Sequence, residues 1–345
     1  MQKKIALITG LNGQDGYYLS RFLLKKGYKV YGVVRKRAIH TIPKFPKTAE
    51  QNIIPIYADI TDFNSILDVI KTTRPTEIYN LAGQSDIPTS WRLPTYTAQV
   101  NAIGTLNILE SIRLTNKDIY FYQASTSELY GYNNGANLSE TVDFAPRNPY
   151  GTAKLFAHCM TINYRESYGL NACAGIMFNH ESERRGIEFV TRKISSSVAK
   201  IKLEIEDHLE IGNLDAVRDW GSAEDYIRAM WLMLQQEKPK EYVIATGVGH
   251  TVRQLVETAF RSVDIDIIWD GKHLEEKGYN VKTQKLLVKI NPQFYRYPSN
   301  DVIIGNPLKI QQELQFRNEC TFEQLINSMV KYDIEYLKRI QYSYE

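Results

Sequence analysis

Ile5-Ala6-Leu7-Ile8-Thr9 runs directly into Gly10-Leu11-Asn12-Gly13-Gln14-Asp15-Gly16. The apolar, partly β-branched run reads as a buried strand, and the glycines that follow are spaced GxxGxxG. From Asp15 to Lys26 the apolar residues Leu19, Phe22 and Leu23 recur at helical spacing. Glycines at such a turn let the backbone approach a pyrophosphate, and the helix behind it aims its first N–H groups at the anion. A glycine motif alone is a weak signal. Here it follows a strand and opens a helix, which is the context a dinucleotide fingerprint requires.

Outward from that turn, strands and helices alternate. Tyr28 to Val34, Asn52 to Tyr57, Glu77 to Leu81, Ile119 to Gln123 and Ala172 to Phe178 read as strands. Phe63 to Thr72, Tyr96 to Leu114 and Pro149 to Tyr168 read as helices. This rhythm predicts an α/β chain: a Rossmann-type, doubly wound parallel sheet covered on both faces. After residue 178 it loosens into separate helices, Phe189 to Lys200, Ser222 to Gln235, Val252 to Ser262 and Phe322 to Tyr336, with a polar stretch from Gly271 to Lys285. The expected division is a cofactor domain over 1–178 and a smaller α/β substrate lobe over 179–345, interleaved with the first. The cleft between them is the expected site.

Composition narrows the function classes. Among 345 residues Lys plus Arg is 42 and Asp plus Glu is 39, a net charge of +3 that gives no basis for nucleic-acid binding. Cys159, Cys173 and Cys320 form no CxxC pair, which argues against a disulfide framework and a thiolate metal site. No metal is expected. No run of eighteen apolar residues suits a membrane span, and Met1 to Lys4 leads straight into the first strand, so the expected compartment is the cytoplasm.

NAD sites place an acid roughly twenty residues beyond the glycines, at the end of the second strand. Nineteen residues after Gly16 stands Arg35, followed by Lys36 and Arg37. Cations in place of the acid favour a 2′-phosphate, hence NADP. Asp59 follows the third strand, where a carboxylate can accept from adenine. Leu81 and Ala82 follow the fourth, where backbone can lie against the cofactor.

Tyr150 and Lys154 stand four apart at a helix start and so share a face. An ammonium beside a phenol is expected to lower the phenol's pKa and let Tyr150 exchange a proton with a substrate hydroxyl. Ala124-Ser125-Thr126-Ser127-Glu128 ends the fifth strand, with a hydroxyl at Thr126 and a carboxylate two residues on.

These segments together resemble the extended short-chain dehydrogenase/reductase family, and within it the GDP-mannose 4,6-dehydratase family. The resemblance rests on the glycine turn, on Glu77 to Ala82 with Gln84-Ser85, and on Gln123 to Gly131 (QASTSELYG). It also rests on Phe178 to Arg185 (FNHESERR), Phe189 to Ile194 (FVTRKI), Gly212 to Gly221 (GNLDAVRDWG) and Tyr226 to Gln235. It is dense over residues 4–263 and thinner beyond.

The resemblance implies cofactor contacts at Gly10, Asn12, Gly13, Gln14, Asp15, Gly16, Arg35, Asp59, Ile60, Leu81, Ala82, Gln84, Tyr150 and Lys154. It implies nucleotide-sugar contacts at Ser85, Asn179, Val190, Arg192, Lys193, Gly212, Arg218 and Arg296. Tyr150 would take the proton of the sugar 4-hydroxyl, Thr126 would hydrogen-bond that oxygen, and Glu128 would remove the C5 proton before water leaves from C6. A homodimer or homotetramer is expected.

The chain also departs from the family pattern. Arg296-Tyr297-Pro298-Ser299-Asn300 lacks a carboxylate usual near the diphosphate, Ser222 stands where His is usual, and Asp86-Ile87-Pro88 and Trp91 alter the loop over the sugar. A GDP-manno-heptose in place of GDP-mannose stays open on these grounds, as does a same-fold nucleotide-sugar reductase or epimerase.

Overall fold

The structure is a computed structural model that describes residues 4–35, 52–133, 135–295 and 302–342. Its strands in chain order are β1 (Ile5–Thr9), β2 (Lys29–Val34), β3 (Ile53–Tyr57), β4 (Glu77–Asn80), β5 (Tyr120–Thr126), β6 (Gly135–Leu138), β7 (Asn171–Met177) and β8 (Asn179–Glu181), then β9 (Leu209–Ile211), β10 (Val217–Ser222), β11 (Glu241–Ile244), β12 (Gly249–Thr251), β13 (Ile267–Asp270), β14 (Lys277–Asn280), β15 (Leu286–Ile290) and β16 (Val302–Gly305).

Seven of these build one sheet in the order β11-β7-β5-β4-β1-β2-β3, with every neighbouring pair parallel. A parallel sheet must be covered on both faces, and the burial of β1, β4, β5 and β7 reflects that. On one face the helices Gln14–Lys25 and Ala223–Leu234 pack Leu19, Leu23, Met230 and Met233 against the strands. On the other, Phe63–Thr73 and Gly104–Thr115 bring Ile66, Val69, Ile108 and Ile112. The chain reverses direction across the sheet between β1 and β4, so a crevice opens at the carboxyl ends of these two strands. Thr9 and Asn80 close its floor: the Thr9 hydroxyl donates to Asn80 Oδ1 at 2.7 Å and accepts from the backbone N–H groups of Leu81 and Ala82 at 3.1 Å each.

The later chain builds two smaller sheets, β12-β10-β16-β6 with β8 joined to β10, and β13-β14-β15-β9. The second packs with the helices Val190–Lys202, Val252–Arg261 and Phe322–Tyr342 around Ile194, Leu209, Leu255, Phe260 and Met329. β11, although late in sequence, completes the edge of the main sheet beside β7.

Two expectations about elements change. The predicted single helix from Tyr96 to Leu114 is a helix Pro94–Ala98, a π-helical segment Gln99–Ile103 and a helix Gly104–Thr115. The π segment places Asn101 where its side-chain amide bonds both backbone groups of Gln84, at 3.0 and 2.9 Å. A π turn often marks a functional position. The polar stretch from Gly271 to Lys285 is not simply a connector, since it contains β14. That strand escapes pattern reading because Gly278, where an apolar residue would sit, gives its space to Ile267 and Trp269; a Cβ at Gly278 would lie 3.0 Å from each.

Candidate active site

The glycine turn forms one wall of the crevice. Gly10 has φ of +71°, and a Cβ there would meet the backbone of Leu81 and Ala82 at 2.8 Å. A Cβ on Gly16 would fall 2.4 Å from Gly10 O and 2.6 Å from Leu11 Cα. Both positions therefore need glycine for the helix to approach β1 and β4 this closely. Gly13 is the N-cap of Gln14–Lys25 and has no side chain to satisfy the first N–H groups of that helix. Asn12 Oδ1 is buried without a hydrogen-bond partner among the described residues. Uncapped amides and an orphaned polar atom at a tight turn fit the pyrophosphate of a dinucleotide.

The side chains of Gln14 and Asp15, both expected at the cofactor, make contacts within the chain. Gln14 donates to His180 O at 3.0 Å and accepts from Ser182 Oγ at 2.7 Å. Asp15 Oδ2 lies 2.9 Å from His180 Nε2. Both side chains are engaged by β8 and the segment after it. Burial disfavours the Asp15 carboxylate, but the charge and hydrogen bond of His180 outweigh burial and hold its pKa below the ordinary value.

Arg35 is exposed just past β2 and donates to Tyr96 Oη at 3.1 Å. Lys36 and Arg37 lie outside the described residues. Asp59 sits past β3 with one carboxylate oxygen accepting from the N–H and hydroxyl of Thr61, at 3.0 and 2.8 Å. Ile60 is buried against Gly104, where a Cβ would lie 2.7 Å from Ile60 Cδ1, so its side chain is core and only its backbone faces the crevice edge. Ser85 is exposed in the loop after β4.

The opposite wall is the carboxyl end of β5 and the start of the helix Pro149–Tyr168. Thr126, the last residue of β5, hydrogen-bonds Tyr150 and accepts from the Glu128 N–H at 3.3 Å. Asn148 caps the helix, its Oδ1 accepting from the Gly151 N–H at 2.8 Å, and its Nδ2 donates to Glu128 Oε2 at 2.8 Å. Lys154 is buried one turn beyond Tyr150, with Nζ donating to Ala124 O at 2.9 Å. A phenol, a hydroxyl, a carboxylate and an ammonium thus converge at one strand end.

The expected depression of the Tyr150 phenol is not found in the chain by itself. Burial pushes Tyr150 up to about 12; the Thr126 hydrogen bond opposes this and the Glu128 charge adds to it. Burial also lowers Lys154 to about 8. The ammonium is engaged at Ala124 O and does not govern the phenol, so the phenol is a proton donor at neutral pH. One further turn along, His158 Nδ1 lies 2.9 Å from Ser125 Oγ, and burial lowers its pKa to about 4, leaving it a neutral brace behind the strand.

The expected sugar and nucleotide residues divide. Asn179 opens β8 beside Trp220 of β10. Val190 begins its helix, and Lys193 Nζ stands 3.6 Å from the centroid of the Phe294 ring. Gly212 backs onto the same residue, since a Cβ there would lie 2.2 Å from Phe294 O. Lys193, Gly212 and Phe294 are therefore one cluster, two residues short of Arg296, which lies outside the described residues. Arg218 is on β10 and donates to Val217 O at 2.8 Å. Arg192 is the exception: its guanidinium pairs with Asp333 of the C-terminal helix, and Ser195 Oγ donates to the same carboxylate at 2.8 Å. That pairing joins two helices.

Three residues to which the sequence reading gave no site role contribute to this geometry. Asn101 fixes Gln84, Asn80 ties Thr9 to Gln123 and Thr105, and Asn148 joins Glu128 to the helix. The N-cap signal at Asn148, immediately before Pro149, was present in the sequence.

Comparison with known proteins agrees with this arrangement. The family described as GDP-mannose 4,6 dehydratase matches residues 7–329. A GDP-mannose 4,6 dehydratase of Drosophila melanogaster is 47% identical over 97% of this chain and 87% of its own length. One of Dictyostelium discoideum is 46% identical over 98% of both chains. Among solved structures, dTDP-glucose 4,6-dehydratase of Bacillus anthracis in complex with NAD superposes with a TM-score of 0.78 at 20% identity, covering 97% of this chain and 98% of that one. That likeness establishes the fold. The identity shared along nearly the whole chain, with Thr126, Glu128, Tyr150 and Lys154 gathered at the crevice, establishes more: the chain belongs to the GDP-mannose 4,6-dehydratase family.

Proposed function

We propose that this protein is a hydro-lyase that converts GDP-mannose to the GDP-linked 4-keto-6-deoxy sugar, using NADP that is regenerated within each cycle. The observation that carries this reading is the carboxylate of Glu128, held beside the Thr126–Tyr150 hydroxyl pair by Asn148. Reduction or inversion at C4 needs the hydroxyl pair alone, whereas dehydration also needs a base for the C5 proton.

A bound nicotinamide supplies the acceptor for hydride from C4 and later returns that hydride to C6. The chain's own residues handle the protons. Tyr150 receives the proton of the 4-hydroxyl, with Thr126 holding the oxygen in line. Burial keeps its phenol protonated in the chain by itself, and a cation bound beside it would oppose burial and favour the base form. Lys154, anchored to Ala124 O, holds the helix face and supplies a fixed positive charge. Once C4 is a ketone the C5 proton is acidic. Glu128 removes it and protonates the departing 6-hydroxyl, so the same carboxylate acts as base and then acid, and the proton that Tyr150 took from the 4-hydroxyl is the one returned to C5 when hydride reaches C6.

Gly10, Gly13 and Gly16 with the amides of the following helix would hold the pyrophosphate, and Arg35 with Lys36 and Arg37 would select a 2′-phosphate. Lys193, Gly212, Arg218 and Arg296 would hold the GDP portion, with Val190 against the base. The protein is further proposed to act in the cytoplasm as a homodimer or homotetramer. Exposed Trp91, Leu93, Tyr96 and Phe156, on adjoining short helices and the Pro149–Tyr168 helix, offer apolar surface for self-association. Incubation with GDP-mannose and substoichiometric NADP, followed by mass spectrometry for loss of one water, tests the reaction. GDP-manno-heptose in a parallel reaction tests the sugar.

A further inference from the structure

Asn148 makes two hydrogen bonds with one side chain. Its Oδ1 accepts from the Gly151 N–H at 2.8 Å, which is the N-cap bond of the helix carrying Tyr150 and Lys154. Its Nδ2 donates to Glu128 Oε2, also at 2.8 Å. The residue is buried, with 7% of its surface exposed. The two bonds fix the amide's orientation, because only the oxygen can accept from Gly151 and only the nitrogen can donate to a carboxylate. The backbone brings the same parts together: a Cβ on Gly151 would lie 2.8 Å from Glu128 O. Thr152 adds a further hold on this residue, donating its N–H and its hydroxyl to Asn148 O at 3.0 and 3.1 Å.

We infer that Asn148 is a positioning residue that locks the Glu128 carboxylate to the first turn of the Tyr150 helix, so that the group that takes the C5 proton and the group that takes the 4-hydroxyl proton move as one unit. Glu128 lies in a single 3₁₀ turn, Ser127–Leu129, which does not by itself fix a carboxylate on a flexible stem. One oxygen is committed to Asn148, which leaves the other for the proton transfer. An Asp, Ser or Thr at 148 would cap the helix as well. The choice among cap residues is therefore free as far as the helix is concerned, and only Asn among these four both accepts at the cap and presents an amide N–H donor of this reach. This inference rests on the dehydratase reading above, in which Glu128 is the base for the elimination.

Asn148→Ser, with Asn148→Thr as a second cap-preserving variant, separates the two bonds. Either hydroxyl caps the helix but is too short to carry a donor to Glu128. Thermal unfolding reports the cap, stopped-flow absorbance of the reduced nicotinamide reports the first hydride transfer, and product mass reports the elimination. The expected result is an unfolding midpoint and a first hydride step close to the parent, a KM within about twofold, and elimination slowed roughly ten- to a hundredfold, the scale set by a small misplacement of a reacting group. Reduced cofactor then accumulates in the variant. In a Glu128→Gln background, Asn148→Ser adds little further loss, because Asn148 acts through that carboxylate.

Full elimination activity in both cap-preserving variants overturns the inference, as does an equal fall of both steps together with the unfolding midpoint. A parent protein that removes no water from GDP-mannose overturns the dehydratase reading and the inference with it, and that outcome is visible before any variant is made.

Discussion

Asp15 Oδ2 and His180 Nε2 lie 2.9 Å apart and join the helix behind the glycine turn to β8, a strand paired with β10 outside the main sheet. His180 is held from its other side as well: Nδ1 lies 2.9 Å from Phe178 O, and the ring stacks on Tyr226 at 4.7 Å between centroids. The pair couples the proposed phosphate cradle to the segment proposed to reach the sugar. Burial disfavours the His180 cation, but the charge and hydrogen bond of Asp15 outweigh burial and raise its pKa, while Arg185 opposes them.

A pH dependence follows from the signs. His180 has a raised folded pKa, so its contribution is complete below its unfolded value of about 6.5 and disappears as pH rises through the folded value. Asp15 has a lowered folded pKa, so its contribution is complete above about 3.9 and disappears as pH falls through the folded value. Thermal unfolding of the parent should show a loss of stability on the alkaline side, beginning above about pH 6.5. His180→Gln should lack that component and start about 1–3 kcal/mol lower near pH 6. Identical pH profiles for parent and variant would remove the pair from the stability account.

Glu128→Gln keeps the shape of the turn after β5, but its amide is far too weak a base to take the C5 proton. Turnover to the dehydrated product should fall by about 10² to 10⁴. The first hydride transfer should survive, visible as reduced cofactor that is not reoxidised. Dehydration within twofold of the parent would assign the base elsewhere.

Arg35→Asp removes the proposed 2′-phosphate partner and restores the acceptor that a ribose hydroxyl uses. Its affinity for NADP should fall and its relative preference for NAD should rise in a cofactor titration. An unchanged preference would move the selection to Lys36 or Arg37.

Arg218→Ala should act mainly through KM. Contacts to a diphosphate far from C4 to C6 are nearly the same in ground and transition states. A charge-assisted contact of roughly 1.5–3 kcal/mol corresponds to about a ten- to hundredfold rise in KM. Arg218→Lys should recover part of it, since an ammonium lacks the bidentate fork. Equal inhibition of parent and variant by free GDP would show that the arginine does not hold the diphosphate.

Much of this architecture was legible because strand and helix carry different hydrophobic periods. The buried runs read at Ile5–Thr9 and from Ile119 to Gln123, and the helix read from Pro149, coincide with the strands and helix that wall the crevice. The glycines were legible for a steric reason that the structure makes explicit at Gly10 and Gly16. What periodicity does not carry is side-chain pairing between distant segments. Arg192 reads as a cation in a nucleotide-binding segment, yet Asp333, far along the chain, has claimed it. Gln14 and Asp15 sit inside the motif, yet His180 and Ser182 have claimed their side chains. The Tyr150 phenol reads as activated by a lysine four residues on, yet burial is the larger effect. β14 was missed because backbone pairing alone, around Gly278, holds it in its sheet.

The most direct test of the account is the mass of the product. Purified protein is incubated with GDP-mannose and an amount of NADP far below that of the sugar, and the nucleotide sugar is weighed by mass spectrometry while absorbance follows the reduced cofactor. The account predicts complete conversion to a GDP-sugar lighter by one water, with no net accumulation of reduced cofactor. A product of unchanged mass, or an oxidised sugar formed only in step with the NADP supplied, would contradict it.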